Sequence, residues 1–224
     1  MTMQTFKERY VAYCDILGFS NLVIADFEKT LTIYGEFKSE LAKRQLGNLT
    51  VSLYSDSIII VGDNVIEIAQ TVQILLWTCL KYKWIVRGGI AYGKHWAESD
   101  SSNLFIISEA LVKAAILEKT VKRPLIVVAD EIEIGLEYWI HGFTHRVFDL
   151  PIIHYENVNI VNPFNNYWFR SAEMILTSLK LSHPNHHEKY EYLLKLMDDI
   201  KQEKEFVPHS IIKELLEKEL IRKI

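Results

Sequence analysis

The chain has 224 residues, 49% of them hydrophobic, and carries 25 Lys and Arg against 29 Asp and Glu for a formal charge of −4. That apolar fraction excludes a disordered chain, and at roughly 100–200 residues per domain the length suits one complete core with an extension, or one large domain. The slight acidic balance argues against coating nucleic acid or an anionic membrane, both of which need a surplus of Lys and Arg, and leaves room for a local basic pocket.

Met1 to Glu8 is polar and lacks the apolar segment of a secretory signal. Tyr10-Val11-Ala12-Tyr13-Cys14-Asp15-Ile16 is a short apolar run of strand formers that stops at Gly18, so it predicts a buried strand with one conspicuous charge. From Phe19 to about Ala42 the residues Leu22, Val23, Ala25, Leu31, Ile33, Tyr34 and Phe37 recur at mostly helical spacing. This gives one long helix or two broken near Thr30, with Ser20 available as a cap. Leu49–Leu53 and Ser57–Val61 are β-branched runs separated by Tyr54-Ser55-Asp56, which predicts a hairpin with an acid at its tip.

Ile66–Tyr82 has helical spacing, and Trp84–Tyr92 reads as a strand punctuated by Gly88, Gly89 and Gly93. Glu109–Lys119 is a helix by its Ala and Leu content, and Pro124–Val128 a strand. After Asp130 the pattern weakens: Arg146–Leu150 and Ile152–Tyr155 are expected as a late strand pair joined through Pro151. From Trp168 onward the chain reads helical, with Tyr190–Ile200 and Ser210–Ile224 as helices and Pro208 starting the last. The expected division is 1–165 as one unit and 166–224 as a helical extension packed on it. Trp139, Tyr167 and Trp168 are expected to anchor that packing, and Leu176, Leu179, Leu193, Leu194, Met197 and Ile200 to form a packed face.

Cys14 and Cys79, the two cysteines, each lie in an apolar run that suits a small buried hydrophobe, which implies a reduced, cytoplasmic protein. No stretch approaches the roughly 18 consecutive apolar residues of a membrane span.

Asp15 ends an apolar strand and Asp56 sits at the tip of an apolar hairpin. Each has a bland reading: Asp15 caps the following helix and Asp56 makes a turn. Against that, an ionised carboxylate between Cys14 and Ile16 is costly to bury unless a cation or a donor compensates it. Two such acids on adjacent strands could hold a metal pair. Arg87 has both a phosphate-binding and an ion-pair reading, Lys113 a phosphate-binding and a surface reading, and His183, His186 and His187 lack a fixed spacing for a metal.

Asp15-Ile16-Leu17-Gly18-Phe19-Ser20 resembles the Asp-Ile-x-Gly-Phe-Thr/Ser motif that opens the catalytic domain of class III nucleotidyl cyclases. Ser55-Asp56 lies where that family has Gly-Asp, Arg87-Gly88-Gly89-Ile90-Ala91-Tyr92-Gly93 resembles its Arg-x-Gly-Ile-x-x-Gly strand, and Ser108-Glu109-Ala110-Leu111 through Glu118 its late helix. The likeness runs from about Val11 to Asp130. It implies an α+β, ferredoxin-like (βαββαβ) core with a C-terminal helical extension. It also implies two divalent cations, Mn²⁺ or Mg²⁺, on Asp15, Asp56 and the Ile16 carbonyl, with Asp15 and Asp56 catalytic and Gly18, Phe19, Ser20, Thr50 and Arg87 binding nucleotide.

The family's transition-state Asn and Arg fall on Val112 and Ile116, whose side chains cannot donate a hydrogen bond, and its purine-reading Lys falls on Thr50. Ser55-Asp56-Ser57 and the Glu109–Glu118 helix look more like the pyrimidine cyclases of Pycsar antiphage systems, which implies CTP or UTP as substrate and cyclic CMP or cyclic UMP as product. A catalytically degenerate nucleotide sensor and an adenylyl cyclase with displaced transition-state residues remain as alternatives. The resemblance further implies a head-to-tail homodimer and a separate effector protein that senses the cyclic nucleotide, with no nucleic-acid or membrane partner.

Overall fold

The first strand runs from an exposed charged start into a buried apolar end, and the sheet is organised around it. The computed structural model describes residues 5–43, 48–100, 103–144, 150–183, 187–202 and 206–221. Strand β1 (Lys7–Ile16) leads into helices α1 (Phe19–Ala25) and α2 (Phe27–Ala42), then the hairpin β2 (Thr50–Tyr54) and β3 (Ser57–Gly62), helix α3 (Val65–Lys81) and the long strand β4 (Val86–Ser99). The sheet order begins β2-β3-β1-β4, with every neighbour in that group antiparallel. Strands β1 and β2 flank β3, and β3 and β4 flank β1, so each helical crossover spans one intervening strand. The fold is therefore α+β with the ferredoxin-like βαββαβ core that the sequence led us to expect.

Strand β5 (Leu104–Ser108) folds back on the outer half of β4, and α4 (Glu109–Thr120) follows it. Strand β6 (Ile126–Val128) adds parallel to β4, and helix α5 (Leu136–Thr144) precedes a second hairpin, β7 (Ile152–Tyr155) and β8 (Val158–Val161), through which β8 pairs with β6. Helices α6 (Phe169–Ser182), α7 (His187–Lys201) and α8 (His209–Glu217) complete the chain.

Side chains alternate across a strand, so the two faces of the sheet have different partners. Ala12, Cys14 and Ile16 of β1, with Ile58 and Ile60 of β3 and Ile90 of β4, are buried in one cluster with Phe37 of α2 and Ile68, Val72 and Leu75 of α3. Full burial of such side chains contributes about 1.5–3 kcal/mol each. On the opposite face Val11 and Ile59 meet Ala110 of α4. Gly89 makes that approach possible, because a Cβ there would stand 2.6 Å from Leu117 Cβ and 2.7 Å from the Ala114 carbonyl oxygen. A further cluster seats α6 and α7 on Leu80, Ile85, Leu125 and Val127, with Leu176, Leu179, Leu193, Met197 and Ile200 facing inward as expected.

Several local expectations are corrected. The helical stretch breaks at Asp26, not near Thr30: Asp26 has φ −157° and its carboxylate accepts from Lys29 N at 3.1 Å, capping α2. Thr30 is instead buried and donates its hydroxyl to the Leu22 carbonyl at 3.0 Å. Ser20 does not cap α1. Gly18 holds that position with φ 78°, a left-handed conformation that suits glycine. Leu22 and Leu31 are exposed, since the break turns their apolar stripe away from the sheet. Strand Ile152–Tyr155 pairs with Val158–Val161 across a two-residue turn at Glu156 and Asn157, both with positive φ (50° and 70°), as tight hairpin turns demand. The expected partner, Arg146–Leu150, lies almost wholly outside the described residues. Trp139 is buried and Trp168 stacks on Trp77 with centroids 5.8 Å apart, but Tyr167 is 92% exposed. The Asn165 side chain accepts from Tyr167 N at 3.0 Å and fixes a turn that points the phenol outward.

Among the described residues no helix is long and apolar enough to cross a membrane. Cys14 and Cys79 are buried free thiols, and burial, followed by the neighbouring Asp15 charge, pushes the Cys14 thiol up to about 12.

Candidate active site

Three backbone segments converge at one end of the sheet. Asp15 is in register with Ser57 on one side and Arg87 on the other. The two-residue turn Ser55-Asp56 hangs over the end of β1, because Ile16 N donates to the Asp56 carbonyl at 2.9 Å. Leu17 N donates to the Ile85 carbonyl at 2.8 Å, so the entry to β4 is tied to the same point. Ser55 takes φ 57° to make the turn. Both acids that stood out in the sequence are thus brought to one place by strand register.

The electrostatics of that place are unbalanced toward negative charge. Asp15 has its carboxyl raised above the ordinary 3.8, first by burial, then by Asp56 and by Glu118, with Arg87 opposing. Arg87 Nε lies 3.9 Å from Asp15 Oδ2 and is ion-paired with Glu118 Oε1. Glu118 is a charge that the sequence reading passed over as a helix-end motif. Its side chain is only 6% exposed, and it holds the guanidinium beside Asp15. The signal that could have found it is a carboxylate on the buried side of an Ala-rich helix, opposite an Arg on the neighbouring strand.

A divalent cation fits this donor set. Two carboxylates that repel one another, together with the Ile16 carbonyl, are hard oxygen ligands of the type Mg²⁺ and Mn²⁺ accept. Among the described residues no group of three or more His, Cys, Asp and Glu side chains is disposed for a metal. Two carboxylates and one carbonyl would leave the other positions of such a cation to waters and phosphate oxygens.

The remaining expected residues are placed as follows. Gly18 and Ser20 flank the start of α1, whose first N–H groups have no intrahelical acceptor. Phe19 turns inward and packs on Tyr34 and Trp84, each with ring centroids 5.6 Å away, so only its backbone faces the site. Thr50 is not beside Asp56. It pairs with Val61 at the far end of the hairpin, about 13 Å along the strand at ~3.3 Å per residue. There it lines a cleft of about 280 Å³ with Lys7, Arg9 and His95. Burial, followed by the Arg9 charge, lowers the His95 imidazole below its ordinary 6.5. Between the two ends, register places Tyr54, Ser52, Ser57 and Tyr13 on the same face of the sheet, with the Tyr13 and Ser57 hydroxyls hydrogen-bonded at 2.9 Å. The sequence reading missed this hydroxyl-bearing track, which period-2 alternation across the hairpin could have revealed.

Val112 and Ile116 are 59% and 56% exposed on the outer side of α4, four residues apart and so on one face. Lys113 is held by Glu109 at 3.0 Å and Glu131 at 3.8 Å and donates to the Tyr92 carbonyl, so it behaves as a paired surface residue. His183 contacts the Ser182 hydroxyl at 2.9 Å, His187 starts α7, and His186 lies outside the described residues.

No protein-family model matches the chain, and no curated protein matches it. Solved structures do resemble it. One is the adenylyl cyclase CyaB from P. aeruginosa, at 16% identity and TM-score 0.45, covering 57% of this chain and 79% of that one. Another is the guanylyl cyclase Cya2, at 10% identity and TM-score 0.45 over 70% of this chain and 92% of that one. A bacterial light-regulated adenylyl cyclase is similar at 15% identity and TM-score 0.47, covering 78% of this chain and 57% of that one.

Proposed function

We propose that the chain is a nucleotidyl cyclase whose substrate is a pyrimidine nucleoside triphosphate, CTP or UTP, and whose product is the 3′,5′-cyclic nucleotide. The observation that carries this reading is the convergence of Asp15 and Asp56 at the end of β1, with the Asp56 turn bonded to Ile16 and the Asp15 carboxyl raised by burial and then by its acidic neighbours. In the reaction the ribose 3′-oxygen forms a bond to the α-phosphorus, the bond from that phosphorus to the bridging oxygen breaks, pyrophosphate leaves and the hydroxyl proton passes to solvent.

Asp15, Asp56 and the Ile16 carbonyl would hold two divalent cations, Mn²⁺ or Mg²⁺, which when bound favour the 3′-alkoxide and offset the triphosphate charge. The chain's own contributions are positional. Register aligns the two carboxylates, the Gly18-Phe19-Ser20 backbone offers N–H groups to phosphate oxygens, and Arg87, held by Glu118, supplies a cation beside the reacting centre. Residues 1–165 would form this catalytic unit and 166–224 its helical extension.

Thr50 lies too far from Asp56 to serve the same nucleotide within one chain, which favours a head-to-tail homodimer that brings the Thr50 cleft of one copy to the acids of the other. The exposed Val112 and Ile116 suit burial at such an interface. The absence of donors at those two positions also favours a second reading, a cyclase-fold nucleotide sensor without turnover. On the first reading the cyclic nucleotide would pass to a separate effector protein as the signal of an antiphage response.

One assay separates these readings: pyrophosphate release and product identity with each of ATP, GTP, CTP and UTP in Mn²⁺. Cyclic CMP or cyclic UMP as the main product supports the proposal, cyclic AMP assigns an adenylyl cyclase, and nucleotide binding without pyrophosphate assigns the sensor. Thr50→Lys should shift the product ratio among competing triphosphates, and an unchanged ratio would remove Thr50 from base recognition.

A further inference from the structure

A roomy cleft lies away from the acids. It has a volume of about 630 Å³ and lies where α1 and α2, the end of α3 and the C-terminal helices α6 and α7 meet. That volume is in the range of small-molecule sites, which are commonly about 300–1,000 Å³. Its walls combine rings and cations. Tyr82 and the edges of the buried Trp84 and Tyr190 supply aromatic lining, Ile33 and the buried Leu179 aliphatic lining, and Lys29, Lys81 and Lys83 positive charge against one acid, Asp26. The protein as a whole is net negative, −4, so three lysines in one cleft run against its overall balance. Lys81 is engaged with Glu40. Among the described residues no carboxylate pairs with the ammonium of Lys29 or Lys83.

Lys83 adds an independent observation. It follows α3 with φ 64°, while its N–H bonds the Leu80 carbonyl at 2.9 Å and the Trp84 N–H bonds the Cys79 carbonyl at 3.0 Å. This is the Schellman termination, whose left-handed position is usually glycine. A lysine there accepts a backbone cost that glycine would not incur, and strain kept in this way clusters at ligand sites.

The wall of the cleft is packed against the segments that carry the acids. Trp84 lies three residues before Arg87, and Phe19, which packs edge-on against Trp84 at 5.6 Å and 83°, begins α1 four residues after Asp15. The hydrogen bond from Leu17 N to the Ile85 carbonyl joins these two segments directly.

We propose that this cleft is an effector site for an aromatic anion, a planar ring system bearing carboxylate, sulfonate or phosphate, and that its occupancy alters the site at Asp15. The ring lies against Trp84 and Tyr190, and Lys29 and Lys83 take the charge. The binding step is independent of the cyclase reading, while the coupling rests on the assignment of Asp15 and Asp56 as cation ligands.

The probe is 8-anilinonaphthalene-1-sulfonate, titrated by calorimetry and fluorescence into the full chain. One saturable site per chain is expected, at least tenfold weaker in the Lys29→Gln/Lys83→Gly double variant. Because glycine relieves the left-handed position, that variant should melt at the same temperature or higher, which separates lost binding from lost folding. Unchanged dye affinity in the double variant, or full displacement by inorganic phosphate alone, overturns the site. Displacement by a nucleoside monophosphate assigns the natural ligand to nucleotides, and displacement only by aromatic carboxylates assigns it to non-nucleotide acids. For the coupling, dye saturation should change Mn²⁺ affinity at least threefold, and Mn²⁺ should change dye affinity by the same factor. If both bind without affecting each other, the effector role fails. If Mn²⁺ does not bind the parent chain while the dye does, it is the cation assignment that has failed.

Discussion

The two faces of strands β1, β3 and β4 are built from alternate residues of the same segments, yet they do different work. On the face toward α2 and α3, Ala12, Cys14, Ile16, Ile58, Ile60 and Ile90 are all at most 1% exposed. On the other face, α4 covers Val11 and Ile59 and sets Glu118 behind Arg87, and the same strands also carry Asp15, Tyr13, Ser57 and Arg9 there. Because the side-chain period of a strand is two, a single run can supply a packed core and a polar surface at once. It also means that a one-residue slip would exchange them, so the dense apolar face fixes the register on which the site depends.

The sharpest test of that division lies on the polar face. Asp15→Ala and Asp56→Ala should each lower cyclic-nucleotide formation by about 10³-fold or more, as expected when several kcal/mol of transition-state stabilisation is lost. Their melting temperatures should not fall, since neither carboxylate packs in the core. Wild-type turnover by either variant at saturating Mn²⁺ would dissolve the distinction between the faces.

The converse holds on the apolar face. Ile60→Ala removes a side chain that is 1% exposed and should cost about 2–5 kcal/mol in urea unfolding, while turnover per folded molecule stays near the parent value. A variant that unfolds normally but loses activity would show that the core face reaches into the chemistry. A smaller effect is expected where the faces meet a helix. Gly89→Ala puts a Cβ against Leu117 and the Ala114 carbonyl, shifts α4 outward and should cost about 1–3 kcal/mol.

The finest test is electrostatic. Asp15 titrates above the ordinary 3.8 in the folded chain, so the native state keeps its proton longer than the unfolded state does. Stability from this group is therefore greatest below the unfolded value and declines as pH rises from there through the raised native value. Asp15→Asn removes that decline. The stability of the variant relative to the parent should increase with pH across that window and level off above it, as read by thermal melts in metal-free buffer. A flat difference would show that burial and the neighbouring acids do not raise Asp15 in the folded chain.

Much of this architecture was legible in the sequence because it depends on local patterns. The apolar run Tyr10–Ile16, the β-branched runs on either side of Tyr54-Ser55-Asp56 and the glycines of Arg87–Gly93 mark the strands, and the family resemblance of these segments implied the ferredoxin-like core. What was not legible depends on partners distant in sequence. Strands β5 and β8 were missed, and β7 was given the wrong partner, because short strands gain their stability from neighbours rather than from propensity. The break was expected near Thr30 and falls at Asp26, where a cap bond from Lys29 N and the buried bond from Thr30 to Leu22 decide the geometry.

The sequence by itself determined which residues are worth asking about: two acids in apolar surroundings, a glycine-rich strand, and a late helix with Val112 and Ile116 where donors were expected. Only the tertiary structure decided how they relate. It joined the Asp56 turn to Ile16, set Glu118 behind Arg87, sent Thr50 to the opposite end of the hairpin and gathered Lys29, Lys83, Trp84 and Tyr190 into one cleft. The physical reason is that residue type and spacing act within a segment, whereas the field on a carboxylate, the reach of a hydroxyl and the volume of a cleft are set by groups that register and helix packing bring from elsewhere in the chain.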